Sequence, residues 1–363
     1  MKVNQRLMLS FDWIWFLALL ALAGAGLLAI GSTTLGTGLS SYLGRQALYL
    51  CIALVAYLVL LYFDYHLYSD YISLIYLSGV ALLALVLVAG RTVHNNKSWI
   101  GLGGMAFQPS ELVKLVVIVA LAKYFSESDR EDLELRELII GGVIAFLPMI
   151  LVILQGDLGT AITFVPIYAA LSIMGGLRRK HIVVFVLAGA IAIPAGWMML
   201  KDYQKSRIQT VFDPSNDPRH VGYQTIQSKI AVGSGRFLGK GFGQGSQGQL
   251  GFLPARHTDF VFAAWAEERG FAGSAAVLGL FILVALRLLK GAREAKDKVG
   301  AMICAGVLTL FWFHITINIG MGLGLLPIAG IPLPFVSAGG SSLVSSFAAM
   351  GICMNIKMRR YVN

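Results

Sequence analysis

The sequence predicts an all-α polytopic membrane protein of about ten transmembrane helices, and three observations predict it. Of 363 residues, 57% are hydrophobic and only 13% are charged, whereas a soluble domain is nearer a quarter charged. Apolar runs long enough to cross a bilayer recur along the whole chain, and the mean hydropathy is +0.73. Lys and Arg gather in alternate loops, as they do in polytopic membrane proteins. The pattern describes one bundle over residues 1–363, although length alone would allow two soluble domains.

The apolar runs place spans at roughly 11–30, 46–63, 70–89, 110–126, 138–154, 157–174, 181–200, 259–289, 299–325 and 335–356. The first is too long for a signal peptide and lacks a small-residue cleavage site after it, so it reads as a retained helix. The fifth and sixth are joined only by the QGD turn at 155–157. The eighth exceeds what a bilayer requires, so one end should protrude. With the N-terminus inside, Lys2, Arg6, Lys123, Arg130, Arg136, Arg178, Arg179 and Lys180 fall inside, as do the basic residues of 287–298 and 357–360. Only Arg45, Arg91 and Lys97 fall in the short outer loops. The predicted topology is therefore N-in and C-in. It leaves 201–258 as one large extracytoplasmic loop between helices 7 and 8.

The net charge of +10 belongs with topology and anionic headgroups, not with nucleic acid, in a chain this apolar. Cys51, Cys304 and Cys353 all lie in apolar runs, which reads as buried thiols rather than a disulfide or metal framework. The glycine-rich run 233–252 is no phosphate loop. Ser234 stands where a Walker pattern needs Gly, and Gly241 follows Lys240 where it needs Ser or Thr. No nucleotide is expected. The run is either a flexible connector or a backbone that closely approaches a ligand.

Ionisable residues inside apolar spans are expensive and point to function. Glu111 and Lys114 open the fourth span in QPSELVKL (108–115), Asp157 sits at the fifth-to-sixth turn, and Asp259 opens the eighth span. By topology these four share the outer interface. Pro109 suits a first helical turn, where the dipole favours the Glu111 carboxylate. Lys114, three residues on, points to the same side. The pair is either a functional site or a cap with a snorkelling lysine. Glu267, Glu268 and Arg269 lie two to three turns farther along the eighth span and read as a deeper, structural ion pair between helices. His314 and Asn318, one turn apart, read as interhelical hydrogen bonding. His257 and Asp259 lack a third ligand for zinc, so no metal site is assigned.

These residues sit in recognisable blocks. NIGMGLGLLPIAGIPLPFVSAGGSS (318–342), HTDFVFAAWAEERGFAG (257–273), QPSELVKL, QGDLGTA (155–161) and GYQTIQSKIAVGSGRFLGKG (222–241) occur in the expected order along the chain. Together they resemble the SEDS family of shape, elongation, division and sporulation proteins over nearly the whole chain. SQGQLGFLP (246–254) is closer to the rod-shape branch than to the division branch. The resemblance implies a ten-helix peptidoglycan glycosyltransferase that polymerises lipid II on the outer face of the cytoplasmic membrane. Its implied partner is a class B penicillin-binding transpeptidase of the elongation complex. The family's essential aspartate falls on Asp259, its helix-four pair on Glu111 and Lys114, and its preceding tryptophan on Trp99. The chain departs from the pattern at Ala255, Gly156 and Arg269, where Glu, Pro and an apolar residue are usual.

The expected chemistry joins a sugar hydroxyl to an anomeric carbon that bears a lipid diphosphate. Asp259 at a half-dry interface suits the general base. The leaving diphosphate needs positive charge, from Lys114, basic loop residues or a divalent cation such as magnesium or manganese. One base and one displacement predict inversion and a β-linked glycan. His257, Thr258, Gln227, Ser228 and Lys229 are expected near the substrate, as are Ser337, Gly339, Gly340 and Ser341, although small residues also serve close helix packing. The Pro-rich IPLPF segment (331–335) is expected to be re-entrant or a loop at the outer face. The rivals are a lipid II flippase, which needs polar groups through to the inner face, and a scaffold that only docks a transpeptidase.

Overall fold

The computed structural model describes residues 10–34, 40–93, 96–102, 105–128, 132–199, 202–212 and 221–361. Lys2, Arg6 and Arg130 lie outside them. The order is α1 (Trp13–Thr34), α2 (Ser40–Tyr62), α3 (Tyr65–Asp70), α4 (Ile72–Ala89), β1 (Arg91–Val93), β2 (Asn96–Leu102), β3 (Met105–Phe107), α5 (Pro109–Ser126) and α6 (Leu135–Leu154). Then come α7 (Leu158–Ile162), α8 (Phe164–Gly176), α9 (Arg179–Met199), α10 (Asp202–Phe212), α11 (Val221–Ser234), α12 (Ser246–Gln249), α13 (Val261–Glu294), α14 (Lys298–Gly322) and α15 (Gly340–Met358). Each expected span has its helix, the sixth as the pair α7 and α8. Among the described residues, seven spans are long and apolar enough to cross a membrane by themselves. The chain is a multi-pass, mostly helical membrane protein. The core runs through α1, α5, α8, α14 and α15, where Trp15, Val117, Leu171, Val307 and Phe347 are buried.

Side-chain bonds sort the helix termini into two ends. At one end Asp12 pairs with Arg287 (3.1 Å) and Lys357. There Asp297 accepts from Tyr65 Oη (2.5 Å) and meets His66 Nε2 (2.8 Å), and Asp64 pairs with Arg359 (2.8 Å). The start of α1, the end of α2, the α13–α14 turn and the end of α15 therefore lie together. At the opposite end Ser32 of α1 bonds Glu268, Gln46 of α2 bonds the Ser337 carbonyl, and Gln108 bonds Asp157. The helices thus thread up and down, as alternating loop charge predicts.

Burial raises the Asp297 pKa, but the Tyr65 hydroxyl, the Gly300 N–H and His66 outweigh it, and the value is lowered overall. A carboxylate lowered on folding stabilises fully above its unfolded value of about 3.9, and that contribution is lost as pH falls through the folded value. Thermal unfolding in detergent should therefore lose stability below about pH 4. Asp297→Asn should be less stable at neutral pH and should show a smaller acid-dependent loss. A wild-type melting curve flat from neutral pH to about pH 3 would contradict this.

Three elements depart from the expected picture. The segment 91–107 carries a three-stranded antiparallel sheet in the order β1-β2-β3; its strands are too short to announce themselves by alternation. The segment 201–258 contains α10, α11 and α12. The tenth helix begins at Gly340, not at 335, because Pro332, Pro334 and the positive φ of Phe335 (65°) interrupt it. The non-helical IPLPF segment is nonetheless buried: Leu333 and Phe335 are 1% and 2% exposed. Its backbone passes so close to Gly26, inside α1, that an added Cβ would lie 2.7 Å from the Phe335 carbonyl oxygen. It is a re-entrant stretch packed in protein, the setting in which non-helical backbone survives at membrane depth.

The long α13 is broken at Gly270 (φ 65°, ψ −162°). A helix break orphans carbonyls before it and N–H groups after it. The glycine-rich run satisfies them. Lys240 and Gly241 N–H groups donate to the Glu267 and Glu268 carbonyls, both at 3.0 Å. The Arg236 and Phe237 carbonyls accept from Phe271 and Ala272. A Cβ on Gly270 would lie 2.3 Å from the Gly239 nitrogen. Gly270→Ala should cost about 1–3 kcal/mol for the backbone conformation alone. It should also undock the run, read as new proteolytic cleavage within 233–252. An unchanged digestion pattern would refute the docking role.

Candidate active site

The expected depth of Glu267 and Glu268 is corrected by this break. Glu268 bonds Ser32 in the last turn of α1, so both glutamates lie at the same end as Asp259. The ionic partner of Glu267, Lys240, is also not on a helix. The buried Glu267 carboxylate accepts from Lys240 Nζ (2.6 Å), Ser246 Oγ (3.1 Å) and the Gln247 N–H (3.0 Å) of the glycine-rich run. These bonds fasten the glycine-rich run to the first part of α13.

Asp259 is half-buried in the turn that precedes α13. Three consecutive carbonyls fix its backbone. That of His257 accepts from the Ala338 N–H (2.8 Å), that of Thr258 from Ser337 Oγ (2.6 Å), and that of Asp259 from Asn318 Nδ2 (3.2 Å). The donors come from the loop that follows the Pro-rich stretch and from the end of α14. The His257 ring packs on Tyr42 with centroids 5.1 Å apart. Burial, aided by Arg256, lowers the His257 pKa, so the imidazole is neutral at pH 7.

The Glu111–Lys114 pair is not level with Asp259. Lys114 is 1% exposed. Its Nζ lies 2.8 Å from Glu111 Oε1 and 3.3 Å from His314 Nε2. Ser345 Oγ reaches the other Glu111 oxygen at 3.4 Å. His314 is one helical turn from Asn318, about 5 Å along α14, which sets the pair beneath the Asp259 turn. A small cavity, lined by Glu111, Lys114, His314, Pro334, Ser345 and Ser346 among others, has room for about one water. The helix start matches expectation, with Pro109 at its first position and Glu111 in its first turn.

The remaining candidates lie on other loops and helix ends at this end of the bundle. Trp99 is half-buried on β2, opposite Arg91. Asp157 caps α7 through the Thr160 N–H (3.0 Å) and accepts from Gln108 Nε2 (2.7 Å), while the Gln108 N–H donates to Ser341 Oγ (2.8 Å). Ser337 also accepts from the Leu333 N–H (2.9 Å), and the Gly339 N–H donates to Gln46 (3.2 Å). A Cβ on Gly340 would strike the Tyr49 ring at 2.4 Å, so this glycine serves close packing. Ser228 donates to the Gly322 carbonyl (2.5 Å), Gln227 is half-buried, and Lys229 is exposed with its stem against Gly324.

Comparison with known proteins places the chain in a family. A family model described as a cell cycle protein, FTSW_RODA_SPOVE, matches residues 6–362. The chain belongs to the SEDS family. Peptidoglycan glycosyltransferase MrdB of Escherichia coli (strain K12) is a SEDS relative 39% identical over 294 residues, which cover 81% of this chain and 79% of that one. A chain from a solved structure described as "Structural coordination of polymerization and crosslinking by a peptidoglycan synthase complex" matches with TM-score 0.84 and 29% identity, covering 97% and 99% of the two chains. The rod shape determining protein RodA of Thermus thermophilus matches with TM-score 0.74 and 26% identity, over 97% of this SEDS chain and 98% of the other.

His314, Asn318, Gln46 and Gln108 are the residues whose place here the sequence does not reveal. Only the packing of α14 on α5 shows that His314 meets Lys114. Among the described residues, no group of three or more His, Cys, Asp or Glu could hold a metal ion.

Proposed function

We propose that this peptidoglycan glycosyltransferase polymerises lipid II at the extracytoplasmic end of its bundle, with Asp259 as general base. The observation that carries the assignment is the clamp on the carbonyls of residues 257–259. It fixes the backbone of a half-buried carboxylate above a buried lysine, as a catalytic group requires. Asp259 takes the proton of the acceptor hydroxyl as its oxygen attacks the anomeric carbon of the donor. The bond from that carbon to the diphosphate oxygen breaks, and the diphosphate leaves with the electron pair. A single displacement inverts the centre and leaves a β-linked glycan. Glu111 holds the Lys114 ammonium in place beneath the site, and the loop residue Arg256 and Lys229 of α11 are assigned as further positive charge for the diphosphate.

The outward assignment of this end rests on Lys290, Arg293, Lys298 and Arg359, which cluster at the other end, and on the positive-inside rule. A class B penicillin-binding transpeptidase of the elongation complex is the proposed partner; the similar chain solved as part of a peptidoglycan synthase complex supports it. Against a flippase, α15 carries Ser341, Ser345 and Ser346 near the site and Asn355 and Lys357 at the far end. Only apolar side chains and glycine lie between them, from Phe347 to Met354.

The test is to give lipid II in detergent to the purified protein with its transpeptidase partner. Glycan chains cleaved by a β-specific muramidase are expected. Lipid movement across vesicles without polymer would favour the flippase.

A further inference from the structure

His314 is 4% exposed, and the reaction drawn so far gives it no task. Its Nε2 faces Lys114 Nζ at 3.3 Å. An ammonium only donates, so Nε2 must accept and carries no proton. A neutral imidazole whose Nε2 is bare carries its proton on Nδ1, and the Pro332 backbone, which as proline offers only a carbonyl, lies beside the ring. The ring, with its acceptor end on Lys114, thus stands between α5 and the re-entrant loop. That loop bonds Asn318 through the Ile331 carbonyl (2.8 Å), while Ser337 at its end holds Thr258. Lys114 and Asp259 are thus tied to one support.

We propose that His314 is a positioning residue for glycosyl transfer, which fixes the Lys114 ammonium relative to the loop that clamps Asp259. This rests on the glycosyltransferase reading of the site. One ammonium N–H donates to Glu111 and a second to His314, so both directions are set. Without the imidazole acceptor the ammonium turns on Glu111 alone.

Two amide variants separate the two ends of the bridge. His314→Gln keeps an oxygen near the Nε2 position, and His314→Asn keeps an N–H near Nδ1 without reaching Lys114. With lipid II and the partner, His314→Gln should stay within about threefold of wild-type kcat, whereas His314→Asn should lose about a hundredfold in kcat with little change in KM. Equal activities, or Asn more active than Gln, would show a packing role through Pro332 and overturn the proposal. A second measurement needs no variant to be active. In protein carrying nitrogen-15 histidine, the buried imidazole coupled to Lys114 must be the neutral Nδ1–H tautomer. An imidazolium or an Nε2–H form there would overturn the proposal. No polymer from the wild-type complex would count against the glycosyltransferase reading, and the tautomer would still decide the bridge.

Discussion

Asp259→Asn should lower polymerisation by about 10²- to 10⁴-fold while the complex with the transpeptidase stays intact, the range that a positioned general base contributes. Asparagine keeps the shape of aspartate but cannot take the proton of the acceptor hydroxyl. The clamp survives, because its bonds run through the carbonyls of His257, Thr258 and Asp259. Labelled lipid II resolved on a gel gives the rate, and co-purification gives the integrity of the complex. Polymerisation at the wild-type rate would remove Asp259 from the mechanism.

The second large effect concerns Glu111 and Lys114. Both are nearly inaccessible, at 4% and 1% exposure. Removing one partner of a buried ion pair strands the other and costs about 3–5 kcal/mol. Glu111→Gln and Lys114→Met should each melt far below wild type and lose activity. The double variant strands no charge, so it should recover most of the stability. Its activity should remain lost, because the positive charge beneath the site is gone. A double variant with wild-type polymerisation would reduce the pair to a packing device. The contrast between melting temperature and turnover therefore settles whether this lysine serves the fold or the reaction.

Much of the fold is legible because each span is a long apolar run, and the helix starting at Pro109 carries its own signals in Pro109 and Glu111. Sequence period fails where burial is not periodic. The IPLPF stretch is as apolar as the helix after it, so hydropathy alone starts that helix five residues early. The helices of 201–258 are hidden in polar and glycine-rich sequence, and α11 and α12 pack on α13, a separate span. A continuous helix would carry Glu267 deep into the membrane, and a single glycine, Gly270, is too slight a signal to announce the break. In the site, Asp259, Glu111 and Lys114 announce themselves as charges in apolar surroundings and through the family-like blocks around them. His314 does not, since a lone histidine in a span has no chemistry until its neighbour is known.

The clamp on residues 257–259 holds main chain and is indifferent to the side chains it positions. Positions 257 and 258 can therefore be exchanged without moving the carboxylate at 259. Ser337 and Asn318, by contrast, supply two of the three donors of the clamp and are constrained by their own side chains. Side-chain identity and backbone placement occupy adjacent residues yet are mutationally separable.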